Sequence, residues 1–244
     1  MHIPDAVHTL ARDLGEIFGG RLQSFVAYGL HARGDRHDDA HGASHAAAQT
    51  HTMAIVDAVT EPDLRACAAR ITSWHGAGLA TPLLFAAREF EHSLDAFPLE
   101  LGAILDDHVI ITGKPPFDAL TVDAAALRLA AEVQAHSHLL HLRQGFLETR
   151  GRADGLAVLI VRSAAPFAAL LKSVARLEGV ATHDAAAAGR HAERRLDVAG
   201  GIVTDVVKLA GVTEISSDAA TKIFPRYLDA VGRLVEYVDG WSGR

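Results

Sequence analysis

The residues best suited to chemistry come directly off the apolar run Phe25-Val26: Ala27-Tyr28-Gly29-Leu30-His31-Ala32-Arg33-Gly34-Asp35. A strand that breaks into a tight, glycine-bearing turn would present backbone amides and an arginine outward, which is one way to cradle a phosphate. Gly29, Arg33 and Gly34 are therefore the candidate phosphate-contacting residues. The plain alternative is a turn that uses glycine only for its freedom at positive φ. Magnesium-assisted phosphoryl chemistry would need acidic oxygens on the strand that follows, Thr50-His51-Thr52-Met53-Ala54-Ile55-Val56, and that strand contains none.

Histidines are the second feature. His31, His37, His41, His45 and His51 fall in one segment, and His37, His41 and His45 are four apart. On a helix those three imidazoles would share a face and would suit zinc or nickel, with Asp38 and Asp39 as further ligands. Gly42 and the surrounding Ala, Asp and Ser read equally as a solvated, low-complexity loop. Farther along, His138 and His141 share a predicted helix face, and Glu132 and His136 are four apart, so a metal site is geometrically open there; an exposed helix surface explains them as well. Glu100 is a candidate catalytic base on a predicted strand, against the alternative of a buried polar remnant or a polar group at a cleft edge. Cys67, in an Ala-rich stretch, reads as core packing.

These residues must be positioned by the elements around them. Helical spacing of Val7, Leu10, Leu14, Ile17 and Phe18 predicts a helix over 5–19, closed by Gly19-Gly20. Strands are predicted at 21–28, 51–57, 82–85, 98–105 and 109–111. In the fourth of these, Leu99, Leu101, Ala103 and Leu105 alternate and Glu100 projects from the other face. A helix is expected from Glu61 to about His75 and a helical turn from Ala87 to Ser93. The loop Thr112-Gly113-Lys114-Pro115-Pro116 closes this first unit, residues 1–120, in which helices and strands alternate.

Beyond Thr121 the strand signals stop. Asp123 caps a predicted helix that runs to about Thr149. A second, at 153–178, is apolar all round as a central helix should be, with Pro166 expected to kink it. Further helices near 183–195, 198–211 and 217–239 make residues 121–244 a bundle of about five helices.

Composition limits the functional classes. The chain has 244 residues, enough for one large domain or two small ones, and is 49% hydrophobic but only 6% aromatic, so its core is built of Ala, Leu and Val. A net charge of −7 argues against general nucleic-acid binding, which needs a basic face. One cysteine allows no internal disulfide, and the N-terminus shows no basic region followed by an apolar run. Together these predict a reduced, cytoplasmic setting. No run of 18 uncharged apolar residues predicts a membrane span.

Four segments, in order, resemble the nucleotidyltransferase superfamily, the fold shared by polymerase-β-like enzymes and aminoglycoside nucleotidyltransferases. Tyr28-Gly29-Leu30-His31-Ala32-Arg33-Gly34-Asp35 looks like the family's Gly-Ser-x-Ala-Arg-Gly-Asp turn, and Thr52–Val56 like the strand that carries its paired aspartates. Phe97-Pro98-Leu99-Glu100-Leu101 sits where the third carboxylate strand belongs. His108-Val109-Ile110-Ile111-Thr112-Gly113-Lys114-Pro115 resembles the closing segment before a helical domain. The overlap spans most of residues 10–150.

This resemblance implies an α+β fold, a mixed sheet with helices followed by an all-α bundle, and a nucleoside triphosphate as ligand. The chain looks like a divergent member of bacterial type. Leu30 replaces the family serine, the loop after the turn is longer, and the acid pair becomes Thr50 and Thr52 in one register or His51 and Met53 in the other. Thr and Met cannot hold hard magnesium, and His prefers softer metals. A non-catalytic or rewired protein that binds a nucleotide, or a protein partner through its helices, is therefore expected. One alternative is an active magnesium-dependent enzyme that moves a nucleoside monophosphate onto a small-molecule or protein hydroxyl, with Glu100, Asp35, Asp38 or Asp39 as substitute ligands. Another is a component of a toxin–antitoxin-like pair, which predicts an exposed apolar patch on the bundle.

Overall fold

The computed structural model describes residues 3–30, 49–118, 120–180 and 182–242. The chain divides into two compact units, Met1–Val122 and Asp123–Arg244. Arg33, Gly34, Asp35, Asp38, Asp39, His31, His37, His41 and His45 lie outside the described residues.

In the first unit, helix α1 (Asp5–Phe18) buries Val7, Leu10, Leu14 and Phe18, the three-and-four spacing of a single apolar stripe. A short 3-10 turn leads into β1 (Leu22–Tyr28), followed by β2 (His51–Val56), β3 (Leu83–Ala86) and β4 (His108–Gly113). The sheet order is β3-β2-β1-β4; β1 is antiparallel to both β2 and β4, and β2 is parallel to β3. As an inner strand covered on both faces, β1 is buried continuously from Ser24 to Ala27. One face of the sheet gathers Phe25, Ala27, Ala54 and Val56 against α1, Cys67 and Trp74. The other gathers Val26, Met53 and Ile55 against Phe90, Leu101, Ile104 and Phe117.

Gly113 closes β4 at φ +89, and a Cβ there would stand 2.1 Å from the carbonyl oxygen of Gln23 on β1. That close backbone approach requires glycine.

The expected helix over 61–75 is two helices, α2 (Glu61–Ala68) and α3 (Ile71–Gly76). At the break, Arg70 sends its guanidinium to Asp13 and Glu16 of α1, at 2.7 and 2.9 Å. α2 starts with a capping box: Thr60 N–H and Oγ1 both donate to the Asp63 carboxylate, which also takes a two-pronged contact from Arg21 at 2.7 and 2.9 Å. The Arg21 guanidinium, with help from Thr60, holds that carboxyl well below the usual range. Cys67 is buried, as its apolar setting led one to expect.

After the short α4 (Ala87–Glu91), the segment expected as a strand over 98–105 is instead a helix, α5 (Pro98–Asp106). Its buried residues, Pro98, Leu101, Gly102 and Ile104, follow helical and not alternating spacing. Pro98 at the first turn, where a missing N–H costs nothing, was the local signal for a helix start. The near-continuous apolar run Leu101–Leu105 satisfies either period, so the alternation of Leu99, Leu101, Ala103 and Leu105 misled.

In the second unit, Asp123 caps α6 (Ala124–Glu148) by accepting from the Ala126 N–H at 2.9 Å, as its residue type predicted. It is followed by α7 (Ala153–Leu177), α8 (Ala185–Leu196), α9 (Ile202–Lys208) and α10 (Ser217–Asp239). α9 begins at Ile202, after Gly200 and Gly201, and is shorter than the predicted 198–211 helix. α7 touches each of the other four helices and runs continuously through Pro166. Among the described residues it is the one helix long and apolar enough to cross a membrane. Its buried positions, Leu156 through Ala175, pack against the neighbouring helices.

Candidate functional site: the Gly29 end of the sheet

β1 delivers Tyr28 and then Gly29, which adopts φ +69, the left-handed conformation anticipated for this turn. Among the described residues, nothing lies within 4 Å of a Cβ placed at Gly29. The Gly29 N–H donates to the backbone carbonyl of Asp107 at 3.0 Å and ties the turn to the start of β4. This amide is therefore engaged within the fold.

Leu30, in place of the family serine, is only 8% exposed and joins the core formed with α1. Leu30 thus anchors the turn through apolar packing.

Strand register sets what lies around this turn. Tyr28 pairs with His51 on one side and with His108 on the other, so the three side chains share one face of the sheet. The Tyr28 and His51 rings stack at 5.6 Å. Burial raises the Tyr28 phenol, which stays protonated at neutral pH. His108 Nδ1 lies 3.0 and 3.1 Å from the carbonyl oxygens of Leu105 and Ile104. Carbonyls only accept, so Nδ1 carries the proton and Nε2 is the basic nitrogen of the neutral ring. The ring rests on Phe117, with centroids 4.7 Å apart. His108 is thus oriented by the last turn of α5, and it was not singled out from sequence because its ring partners come from tertiary packing.

β2 and the residue before it carry no acidic side chain. Thr50 and Thr52 are 3% and 1% exposed, and the Thr52 hydroxyl is buried without a hydrogen-bond partner among the described residues. In the alternative register His51 is exposed, while Met53 is buried in the second core. Neither pair supplies two accessible oxygens for a hard cation.

Glu100 is exposed in the first turn of α5, at the end of the helix remote from Gly29; roughly 9 Å of helix axis separate it from the last turn. It stands on a helix, where a strand residue was expected. Among the described residues, Asp107, just past the end of α5, meets the glycine turn through its backbone carbonyl, and Asp106 precedes it. Sequence reading passed over them because their segment was assigned to a strand-to-strand connection.

In the helical unit, His136 and His141 are exposed on α6, while His138 is buried. Four apolar residues of the same helix, Leu129, Val133, Leu140 and Leu147, are also exposed, at 57%, 62%, 55% and 73%. At 100° per residue they fall on one face, opposite the buried Leu127, Ala131 and Ala135.

A mixed sheet that ends β1 in a left-handed glycine, carries helices on both faces and is followed by a helical unit is a nucleotidyltransferase-like α+β fold. Among solved structures the chain is similar to spectinomycin adenyltransferase AAD(9) from Enterococcus faecialis, solved with ATP and spectinomycin. The TM-score is 0.54 over 95% of this chain and 100% of that one, with 8% sequence identity. At that identity the likeness is one of fold. No family model matches the chain, and no curated protein matches it in sequence.

Proposed function

We propose that this protein is a nucleotidyltransferase-like protein that binds a nucleoside triphosphate at the Gly29 end of its sheet and has given up two-metal nucleotidyl transfer. One observation carries the reading: β1 ends in a left-handed Gly29, while the neighbouring segment Thr50–Met53 has no acid, with Thr50, Thr52 and Met53 buried. Two-metal transfer needs oxygen ligands that clamp the attacking and leaving groups. A nucleotide can still be held by stacking and by side-chain hydrogen bonds, and Tyr28, His51 and His108 provide a row of aromatic rings on one face, with His108 Nε2 as an acceptor. Arg33 and Gly34 complete this proposal as phosphate contacts that follow Gly29 in the chain. The similar fold of a protein solved with ATP supports it.

The deciding experiment is calorimetric titration of metal-stripped protein with ATP, CTP, GTP and UTP, with and without magnesium. Binding of equal strength in both conditions is the expected result. Binding that appears only with magnesium and is followed by pyrophosphate release on adding a hydroxyl acceptor would favour an active transferase, with carboxylates outside β2 as ligands. No binding in any condition would reject the nucleotide reading.

A second role, contact with a protein partner through the helical unit, is favoured by the exposed row Leu129, Val133, Leu140 and Leu147 on α6. That row is the feature expected of a component of a toxin–antitoxin-like pair.

A further inference from the structure

A separate cluster of ligating side chains lies in the helical unit, where α6 passes the C-terminal end of α10. Glu132 and His136 are four apart on α6 and share a face. Asp239, the last residue of α10, arrives at the same place from 103 residues further along the chain. One carboxylate oxygen from each acid and an imidazole nitrogen all lie within 4.8 Å of one another.

The spacing suits chelation. His136 Nε2 stands 3.1 and 3.2 Å from the two Asp239 oxygens. Around a tetrahedral ion with bonds of about 2.0–2.2 Å, neighbouring donors are roughly 3.3 Å apart. The His136–Asp239 pair already has that bite, and rotation about the Glu132 side chain closes the remaining distance.

The electrostatics also favour a cation. The carbonyls at the end of the 23-residue α10 carry the negative end of its dipole. Arg128 already exploits this position, donating to the Val238 carbonyl at 3.3 Å and pairing with Glu132 Oε2 at 2.9 Å. It engages one carboxylate oxygen of Glu132 and leaves the other for an ion, the supporting role that outer partners play around metal ligands. One imidazole with two carboxylates suits a borderline ion such as zinc, whereas magnesium and calcium prefer all-oxygen sets.

We propose that Glu132, His136 and Asp239 form a binding site for a zinc-type divalent transition metal, with three protein ligands and a fourth position left to solvent. Half-exposed His136 and Asp239 keep that position open. A hollow of about 420 Å³ adjoins it, lined by Glu132, Val133, His136, Leu140 and Gln144 among others. This site is independent of the nucleotide reading and lies in the other compact unit.

The test is titration of the metal-stripped full chain with zinc chloride at neutral pH, comparing wild type with Glu132→Gln, His136→Ala and Asp239→Asn. His31, His37, His41, His45 and His51 offer further nitrogen ligands, so the readout is the difference between proteins and not the total uptake. One equivalent of zinc should disappear in His136→Ala and Asp239→Asn, and its affinity should fall at least tenfold in Glu132→Gln, with unchanged far-UV circular dichroism. Zinc should raise the Tm of wild type and raise it less in His136→Ala. Equal stoichiometry and affinity in all four proteins, or no zinc uptake by wild type, would overturn the assignment.

Discussion

His138 Nε2 and the Tyr227 hydroxyl meet at 2.6 Å inside the helical unit, α6 to α10, with the imidazole stacked on Phe167 of α7 at 5.3 Å. The proton positions follow from the end of the chain of hydrogen bonds. Ser163 Oγ donates to the Ile160 carbonyl at 2.9 Å, so it can only accept from the Tyr227 hydroxyl, 3.2 Å away. Tyr227 has then spent its proton, and His138 must donate from Nε2. The neutral Nε2–H imidazole is the form the core is built around. Burial, with a smaller contribution from His141, pulls its pKa down to about 4, while burial pushes the Tyr227 phenol up.

Acid should therefore loosen the helical unit through His138. The unfolded imidazole takes up its proton near its ordinary value of 6.5 and the folded one only near 4. Its contribution to stability is complete above pH 6.5, falls as pH drops between these values, and is lost below about 4. The loss is of order 3 kcal/mol. Urea unfolding of wild type and His138→Gln from pH 7 to 4.5 should show a steeper decline for wild type; parallel curves would refute the assignment.

Removing the tyrosine hydroxyl should be costly for its size. Tyr227→Phe leaves the His138 N–H buried without a partner, which costs about 1–3 kcal/mol. Thermal unfolding should show a clear fall in Tm, whereas a change of a few tenths of a degree would mean that water or a repacked partner satisfies the imidazole.

Two glycines at positive φ should respond differently to alanine. At Gly29 the added Cβ meets no atom of the described residues within 4 Å, so the backbone conformation sets the penalty, about 1–2 kcal/mol. At Gly113 it collides with the β1 backbone, and the loss should exceed about 3 kcal/mol or prevent folding. Denaturant midpoints of the two variants test this order, and Gly29→Ala proving the worse would contradict the register of β1 against β4.

Glu100 should be dispensable for nucleotide binding. It is exposed at the far end of α5 from Gly29, and its local effect is that of an acid in a first helical turn, a few tenths of a kcal/mol. Glu100→Gln should keep ATP affinity within about twofold by calorimetry. A tenfold loss would return it to the ligand site.

Much of the architecture was legible in one dimension because its signals are local. The apolar stripe of α1, the short β-branched and aromatic strand before Gly29, the left-handed turn there and the Asp123 cap each depend on residues within one or two turns. Residue type alone also excluded paired acids from β2, since no fold can supply a carboxylate that the strand lacks.

What lies between distant segments was not legible. The apolar run at 98–105 fits a strand or a helix, and only packing of Leu101 and Ile104 against Phe90 and Phe117 decided for the helix, moving Glu100 to an exposed first turn. His138 and His136, two residues apart, differ because neighbouring helices bury one and leave the other at the surface. Asp239 joins Glu132 and His136, and His108 joins Tyr28 and His51, through helix packing and strand register. Side-chain chemistry and short periodicity are written along the chain. Which of those side chains meet is set by non-local burial, which sequence spacing does not encode.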